Sequence, residues 1–484
     1  MTFVDLRFVL FFPVVVLLNF ILPPKVRWIL LLVSSYLFYM AWKPEYALIL
    51  AAITVIDFCA GYVIGTQTNQ RVRKLTLLTS LVANLGILFF FKYFNFFFET
   101  LGQALNAIGT SASLPVLDII LPIGISFHIF QSISYTIDVY RGTAKHVTHL
   151  GKFALYVSFF PQLVAGPIER PNGLLVQFFQ ERRFDRAKAV EGAKLMLLGF
   201  FKKLVIADHI APIVNTVYAS PENFHGPSLI IATLLFSYQL YCDFSGYTDI
   251  ARGSAKILGY DLALNFTQPY NSTTVAEFWR KWHISLSSWL RDYLYTPLAL
   301  GGKHHSAHRA YLSLFATFVL IGLWHGANWT YVMMGALHGV YLISGSITSR
   351  WALRRRLKLP RPVKVVIVFL LVSFTWIFFR AESVSDAFYI VTHLFSNIDV
   401  FLSSVFTAEG FTQNILMGTP FGASIIALLG IVFLESTEAY VRRGKVLLSP
   451  KSQSVKYALF GFAVVILLLI GTFSLPEQFI YFQF

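Results

Sequence analysis

The chain has 484 residues, of which 56% are hydrophobic and only 13% charged, and its mean hydropathy is +0.63. A soluble domain carries about a quarter charged residues, so a water-soluble globule is excluded and lipid must cover part of the surface. The net charge of +15 comes from basic residues that abut apolar runs, the pattern of cytoplasmic loops, and no nucleic-acid partner is expected.

The first apolar run, residues 8–22, follows Asp5 and Arg7 and precedes Pro23 and Pro24. It lacks the positive leader and small-residue cleavage site of a secretory signal, and it reads as a retained helix. Apolar runs at 28–40, 46–64, 75–91, 195–206, 229–242, 311–324, 329–342, 363–379, 421–434 and 457–475 bring the expected membrane helices to about eleven. Lys202 and Lys203 lie inside one of these runs. Cys59 and Cys242, both in or beside apolar runs, provide neither a disulfide framework nor a thiolate metal site.

Two further apolar segments are broken. Residues 121–139 contain Pro122, Gly124, His128, Gln131 and Asp138, and residues 153–168 contain Pro161, Gln162, Gly166 and Pro167. Backbone freed by Pro and Gly cannot face lipid. Both segments are therefore expected to be re-entrant or interfacial and to line the functional cavity. Basic clusters at Arg71, Arg73 and Lys74, at Arg182, Arg183, Arg186 and Lys188, at 350–364 and at Arg442, Arg443 and Lys445 belong in the cytoplasm by the positive-inside rule. The Lys25–Arg27 link joins them, which sets the N-terminus outside. Residues 395–419 read as an extracytoplasmic excursion. With no repeat and no long linker, residues 1–484 form a single all-α polytopic membrane domain.

Polar and aromatic residues interleave between 241 and 339. Ionisable groups within or beside a membrane are costly and mark functional sites by default. Thr274 and Glu277 have the spacing of a capping box, so a helix is expected to start there. Along it Trp282, Leu286, Trp289 and Tyr293 form one aromatic stripe, which would also suit a helix lying on the membrane surface. His325, between Trp324 and Gly326 and two apolar runs, has the chemistry of a general base, since imidazole titrates at about 6.5. Gly326 leaves room for a substrate to reach the ring. A packing role is the alternative, and His338 and His128 are rivals. No HExxH pattern supports a metal, and neither a GxSxG elbow nor a P-loop occurs.

Five segments, 121–141, 160–167, 241–249, 277–287 and 323–330, together resemble the membrane-bound O-acyltransferase family, and within it the branch that serves bacterial alginate O-acetylation. The likeness runs in register to about residue 345 and thereafter holds only in hydropathy. The resemblance implies a ring of membrane helices around a thin core crossed by a tunnel. It selects His325 as the catalytic histidine and His283 as the second important one. It implies acetyl transfer from cytoplasmic acetyl-CoA, with no tightly bound cofactor, toward an exported polysaccharide. Arg280, Lys281 and Arg291 would suit the donor phosphates, ordinary loop charge being the alternative. Trp282, Asp243, Ser245, Tyr247, Gln131, Asn328 and Trp324 would line the donor site or tunnel. A separate extracytoplasmic acetyltransferase is the expected partner, and the bacterial inner membrane the expected location. His128 stands where the alginate-type pattern has an aromatic residue. D-alanyl or other acyl transfer to a cell-wall glycan is a weaker match. A secondary transporter or a non-catalytic export subunit is the alternative of a different class, although the two related halves common in transporters are not found.

Overall fold

The structure, a computed structural model, describes residues 1–110, 114–301, 306–355, 359–442, 453–473 and 478–480. Arg356, Lys358, Arg443 and Lys445 of the basic clusters, and residues 474 and 475 of the last apolar run, lie outside them. Among the described residues all regular structure is helical. Six helices are long and apolar enough to cross a bilayer: Tyr46–Thr66, Gln70–Ala107, Gly226–Ile257, Ala307–His325, Arg361–Arg380 and Phe421–Tyr440. Leu6–Ile21, Arg27–Met40 and Tyr457–Ile470 are apolar but shorter. The described residues are therefore all-helical, and the protein is multi-pass. In their most apolar windows, Gln70–Ala107 is 17% buried and Gly226–Ile257 is 72% buried. The first presents its side chains outward and the second lines an interior.

The run expected at 195–206 is part of a longer helical stretch. Arg186–Phe200 passes through a π-helical turn at Phe201–Ala207 into Asp208–Ala219. Such turns shift the register of side chains and occur often at functional sites. Here the turn buries Lys202 and Lys203.

The chain forms two compact units. Met1–Met196 and Thr248–Leu264 make the first. Its core contains a buried carboxylate, Asp57, which accepts hydrogen bonds from Ser80 Oγ (2.5 Å), Thr136 Oγ1 (2.7 Å) and Asn84 Nδ2 (3.0 Å). Helices Tyr46–Thr66, Gln70–Leu88 and Ile125–Arg141 are tied together by these bonds, which satisfy a charge that would otherwise be prohibitive to bury. The two broken segments also belong to this unit. Ile125–Arg141 starts after Gly124, whose φ of +76° favours glycine. A Cβ there would lie 2.8 Å from the Leu163 carbonyl oxygen. His128 Nε2 donates to that same oxygen at 2.6 Å, because a carbonyl can only accept. Residues 155–169 are buried, so the irregular backbone faces protein, as its Pro and Gly content requires.

The second unit comprises Leu197–Tyr247 and the described residues from Asn265 onward. Its most intimate pairing is the hairpin of Ala307–His325 and Trp329–Arg355. A Cβ on Gly322 would fall on the carbonyl oxygen of Tyr331, and one on Gly335 on that of Phe318. The two backbones thus touch directly, the small-residue packing that lipid-embedded helices favour. Residues 395–419 hold two short helices, Ile398–Ser404 and Ala408–Asn414.

Because Gly322 lies one turn before His325, this contact sets the position of that ring. Gly322→Ala and Gly335→Ala are expected to destabilise the protein by about 1–3 kcal/mol, the usual range for overpacking. Gly345→Ala, in the same hairpin but with nothing within 4 Å of its added Cβ, should be neutral or mildly stabilising. Thermal unfolding of the three variants in detergent checks the contrast.

Candidate active site

The local chain path around residue 283 sets the geometry. Thr274 caps Val275–Lys281, its hydroxyl accepting from Glu277 N–H at 3.0 Å. The Glu277 carboxylate reaches back to Thr273 N–H at 2.8 Å, one residue earlier than the usual capping box. The helix does not continue as the aromatic stripe requires. His283 adopts φ +43° and ψ +55°, and a separate helix, Ile284–Leu290, follows. The cause is a short pairing with the 265–267 segment: Ile284 N–H donates to Asn265 O at 2.9 Å, and Thr267 N–H to Lys281 O at 3.0 Å. The single amphipathic helix expected from the sequence is therefore two short helices. Trp282, Leu286 and Trp289 are buried in protein and do not lie on a membrane surface.

His283 is fully buried, with its ring edge-on to Phe244 at 4.7 Å. Burial pushes its pKa far below the ordinary value, so the ring is neutral. Its Nδ1 lies 3.2 Å from Asn265 Oδ1, which also accepts from Ser285 N–H (3.2 Å) and Ser285 Oγ (2.9 Å). The Ser285 N–H is an obligatory donor, so the facing Asn265 atom is the oxygen, and His283 Nδ1 must carry the imidazole proton. Nε2 is then the basic nitrogen of this ring.

His325 is the last residue of Ala307–His325 and is 2% exposed. Its ring lies 5.0 Å from Trp324 and 5.4 Å from Phe379. The Trp324 ring is in turn 5.8 Å from His283, so one indole touches both histidines. Gly326 has a different reason from the one read in the sequence. A Cβ at that position would collide with the Tyr331 ring, so the space belongs to a packed side chain and not to substrate. Asn328 is also engaged in folding: its Oδ1 accepts from Thr330 N–H at 3.0 Å, and its Nδ2 donates to Glu382 O at 3.0 Å.

His338 has both ring nitrogens occupied. Trp279 Nε1–H donates to Nδ1 at 3.2 Å. Thr375 Oγ1 spends its proton on Val372 O at 2.7 Å, so it accepts from His338 Nε2 at 2.9 Å. This histidine is a satisfied packing residue. The rival His128 lies in the first unit, pinned to Leu163 O.

Asp243 sits in a buried ionic cluster that sequence reading did not assemble. Lys203 Nζ contacts Asp243 Oδ1 at 2.7 Å and Asp208 Oδ1 at 2.8 Å. Asp243 Oδ2 also accepts from Ile480 N–H at 2.8 Å, while Phe479 lies against Lys203 (4.4 Å) and Tyr247 (5.0 Å). The clue available in sequence was a lysine inside an apolar run with an aspartate five residues on. Ser245 is buried in the same stretch of helix. Lys281 is paired with Glu277 at 2.7 Å and Arg291 with Asp292 at 2.9 Å, whereas Arg280 is exposed. Gln131 belongs to the first unit, where its amide Nε2 donates to Tyr156 O at 2.5 Å.

A family model described as MBOAT, membrane-bound O-acyltransferase family, matches residues 37–382, a span that holds both histidines. The chain is 41% identical over 403 residues to the "Probable alginate O-acetylase AlgI" of Azotobacter vinelandii, covering 83% of this chain and 79% of that protein. It is 32% identical over 383 residues to the peptidoglycan O-acetyltransferase of Helicobacter pylori, covering 74% and 71%. With the teichoic acid D-alanyltransferase of Streptococcus thermophilus it shares 27% identity over 249 residues, 48% of this chain and 58% of the other. The chain belongs to the membrane-bound O-acyltransferase family and is a multi-pass membrane acyltransferase.

Proposed function

We propose that this acyltransferase moves an acetyl group from cytoplasmic acetyl-CoA toward an exported polysaccharide such as alginate, with His325 as general base. The carrying observation is the placement of His325. It is a buried imidazole at the C-terminal end of an apolar helix, joined through Trp324 to a second buried histidine. The 41% identity to an alginate O-acetylase favours acetyl over D-alanyl as the acyl group.

In this reading the His325 imidazole takes the proton of the acceptor hydroxyl as its oxygen attacks the thioester carbonyl carbon. The carbonyl oxygen gains negative charge, then the C–S bond breaks and the imidazolium returns the proton to the thiolate. The products are an acetyl ester and free CoA. The helix C-terminus at His325 favours the transient positive charge, by up to about 2 kcal/mol where such a site is partly buried. Aromatic walls exclude water and protect the thioester from hydrolysis. His283 serves the donor side, with Arg280 as the exposed cation nearby in sequence for CoA phosphates. A tunnel through a ring of helices would let donor and acceptor meet without the hydroxyl crossing the membrane. A separate extracytoplasmic acetyltransferase would then place the acetyl group on the polymer. The protein would sit in the inner membrane with its basic clusters in the cytoplasm.

His325→Ala and His325→Gln should insert normally yet lose about 10²–10⁴ in turnover, the usual worth of a general base. His283→Ala should instead raise the acetyl-CoA concentration needed for half-maximal rate. Transfer from labelled acetyl-CoA in membranes, titrated in donor, tests both. Near-normal turnover by the His325 variants would remove the base from this position. Sidedness is checked separately by single cysteines at Arg71 and Arg183, which are exposed. They should react with an impermeant maleimide only after the cell is opened, and labelling in intact cells would invert the orientation.

A further inference from the structure

Asn265 is completely buried, and its Oδ1 takes three hydrogen bonds, from Ser285 N–H, Ser285 Oγ and His283 Nδ1. The other end of the same amide is unused. Nδ2 is buried and has no hydrogen-bond partner among the described residues. The usual ambiguity of an asparagine is absent here, because rotating the amide would set Nδ2 against the Ser285 backbone N–H, donor against donor. Two N–H groups are therefore held in a fixed direction inside the protein with nothing to receive them. A buried donor left in this state costs about 1–3 kcal/mol. Among the buried polar atoms in this state, Nδ2 is set apart by its place on the amide that holds His283.

The occupant that fits is a neutral acceptor that becomes more negative during reaction. No cation could bind to N–H groups. A standing anion is poorly served by a neutral amide beside aromatic rings, Phe244 lying on the same histidine and Trp324 beyond it. Asn265 is one hydrogen bond from His283, and His283 shares the Trp324 ring with His325. We infer that the Asn265 amide receives the carbonyl oxygen of the thioester and stabilises the charge it gains as the acceptor hydroxyl attacks. The inference rests on the acyl-transfer reading above and adds to it the group that meets the oxyanion. It also gives Oδ1 a second task, since that oxygen selects the His283 tautomer with its proton on Nδ1.

Asn265→Asp tests the two ends of the amide separately. A carboxylate keeps acceptors for Ser285 and His283 and keeps the shape, but it removes both donors. The assay is transfer from labelled acetyl-CoA in membranes holding a known amount of protein, with thermal stability followed in parallel. Loss of a donor of this kind lowers kcat by about 10²–10³. The variant should show that loss with KM for acetyl-CoA within about threefold of wild type, since the interaction strengthens only in the transition state. Should Asn265→Asp not yield folded protein, Asn265→Ser removes the amide donors without burying a charge, with Ser285→Ala, which loses a bond to Oδ1 and keeps those donors, as its control: the inference expects the kcat loss from the first and not from the second. A folded Asn265 variant that keeps kcat within about threefold, or one that raises KM at unchanged kcat, overturns the inference and leaves Asn265 a packing residue. The two readings fail differently. An inactive His325→Ala beside an active Asn265→Asp sinks only this one, and an active His325→Ala sinks the general-base assignment. A wild type that uses no acetyl-CoA at all sinks both.

Discussion

The centre of the second unit depends on one oxygen atom, Oδ1 of Asn265, which accepts three hydrogen bonds in a fully buried setting. An apolar interior leaves polar groups no water to fall back on, so each must find a partner in the protein. With its main-chain oxygen on Ile284 N–H and its Oδ1 on Ser285 and His283, Asn265 holds the left-handed turn at residue 283, which separates two short helices. That break buries Trp282, Leu286 and Trp289 and brings the His283 ring against Trp324. The glycine contact of Gly322 with Tyr331 sets the helix that carries His325, whose ring also meets Trp324. Local backbone decisions at a glycine and an asparagine thus bring two distant histidines to one aromatic wall.

The same rule explains the polar residues away from this centre. Asp57 is answered by hydroxyls and an amide from neighbouring helices, and Lys203 by two carboxylates. Removing one member of such a set strands the others, which is why buried ionic groups are so unforgiving of substitution. Asn265 differs from both clusters in that the unused end of its amide is a donor, held one hydrogen bond from His283.

Much of this was legible in the sequence where periodicity and punctuation carry the information. The apolar runs at 46–64, 311–324 and 363–379 correspond to the helices Tyr46–Thr66, Ala307–His325 and Arg361–Arg380. Thr274 and Glu277 marked a real helix start. Pro161, Gly166 and Pro167 marked buried irregular backbone after Ser158, whereas the 121–139 segment, expected to be broken, is a regular helix from Ile125 onward. Illegible features came from contacts between residues far apart in the chain. The stripe from Trp282 to Tyr293 looks helical throughout, and nothing in its spacing announces that Asn265 will capture the Ile284 N–H. Gly326 looked like room for a ligand because a sequence does not show that Tyr331 fills the space. His325 and His338 are alike in composition and surroundings. The indole and hydroxyl partners of His338 are what mark it as a packing ring.

The proposed reaction has a direction: an acyl group is taken from a thioester on one side and delivered to a hydroxyl on the other. Proteoliposomes of uniform orientation test that most directly. Labelled acetyl-CoA is confined to the compartment facing the basic loops, and the polysaccharide with its extracytoplasmic acetyltransferase to the opposite one. Label should appear on the polymer across the membrane, and donor supplied on the polymer side alone should give none. Transfer that occurs only when donor and polymer share a compartment would contradict the account.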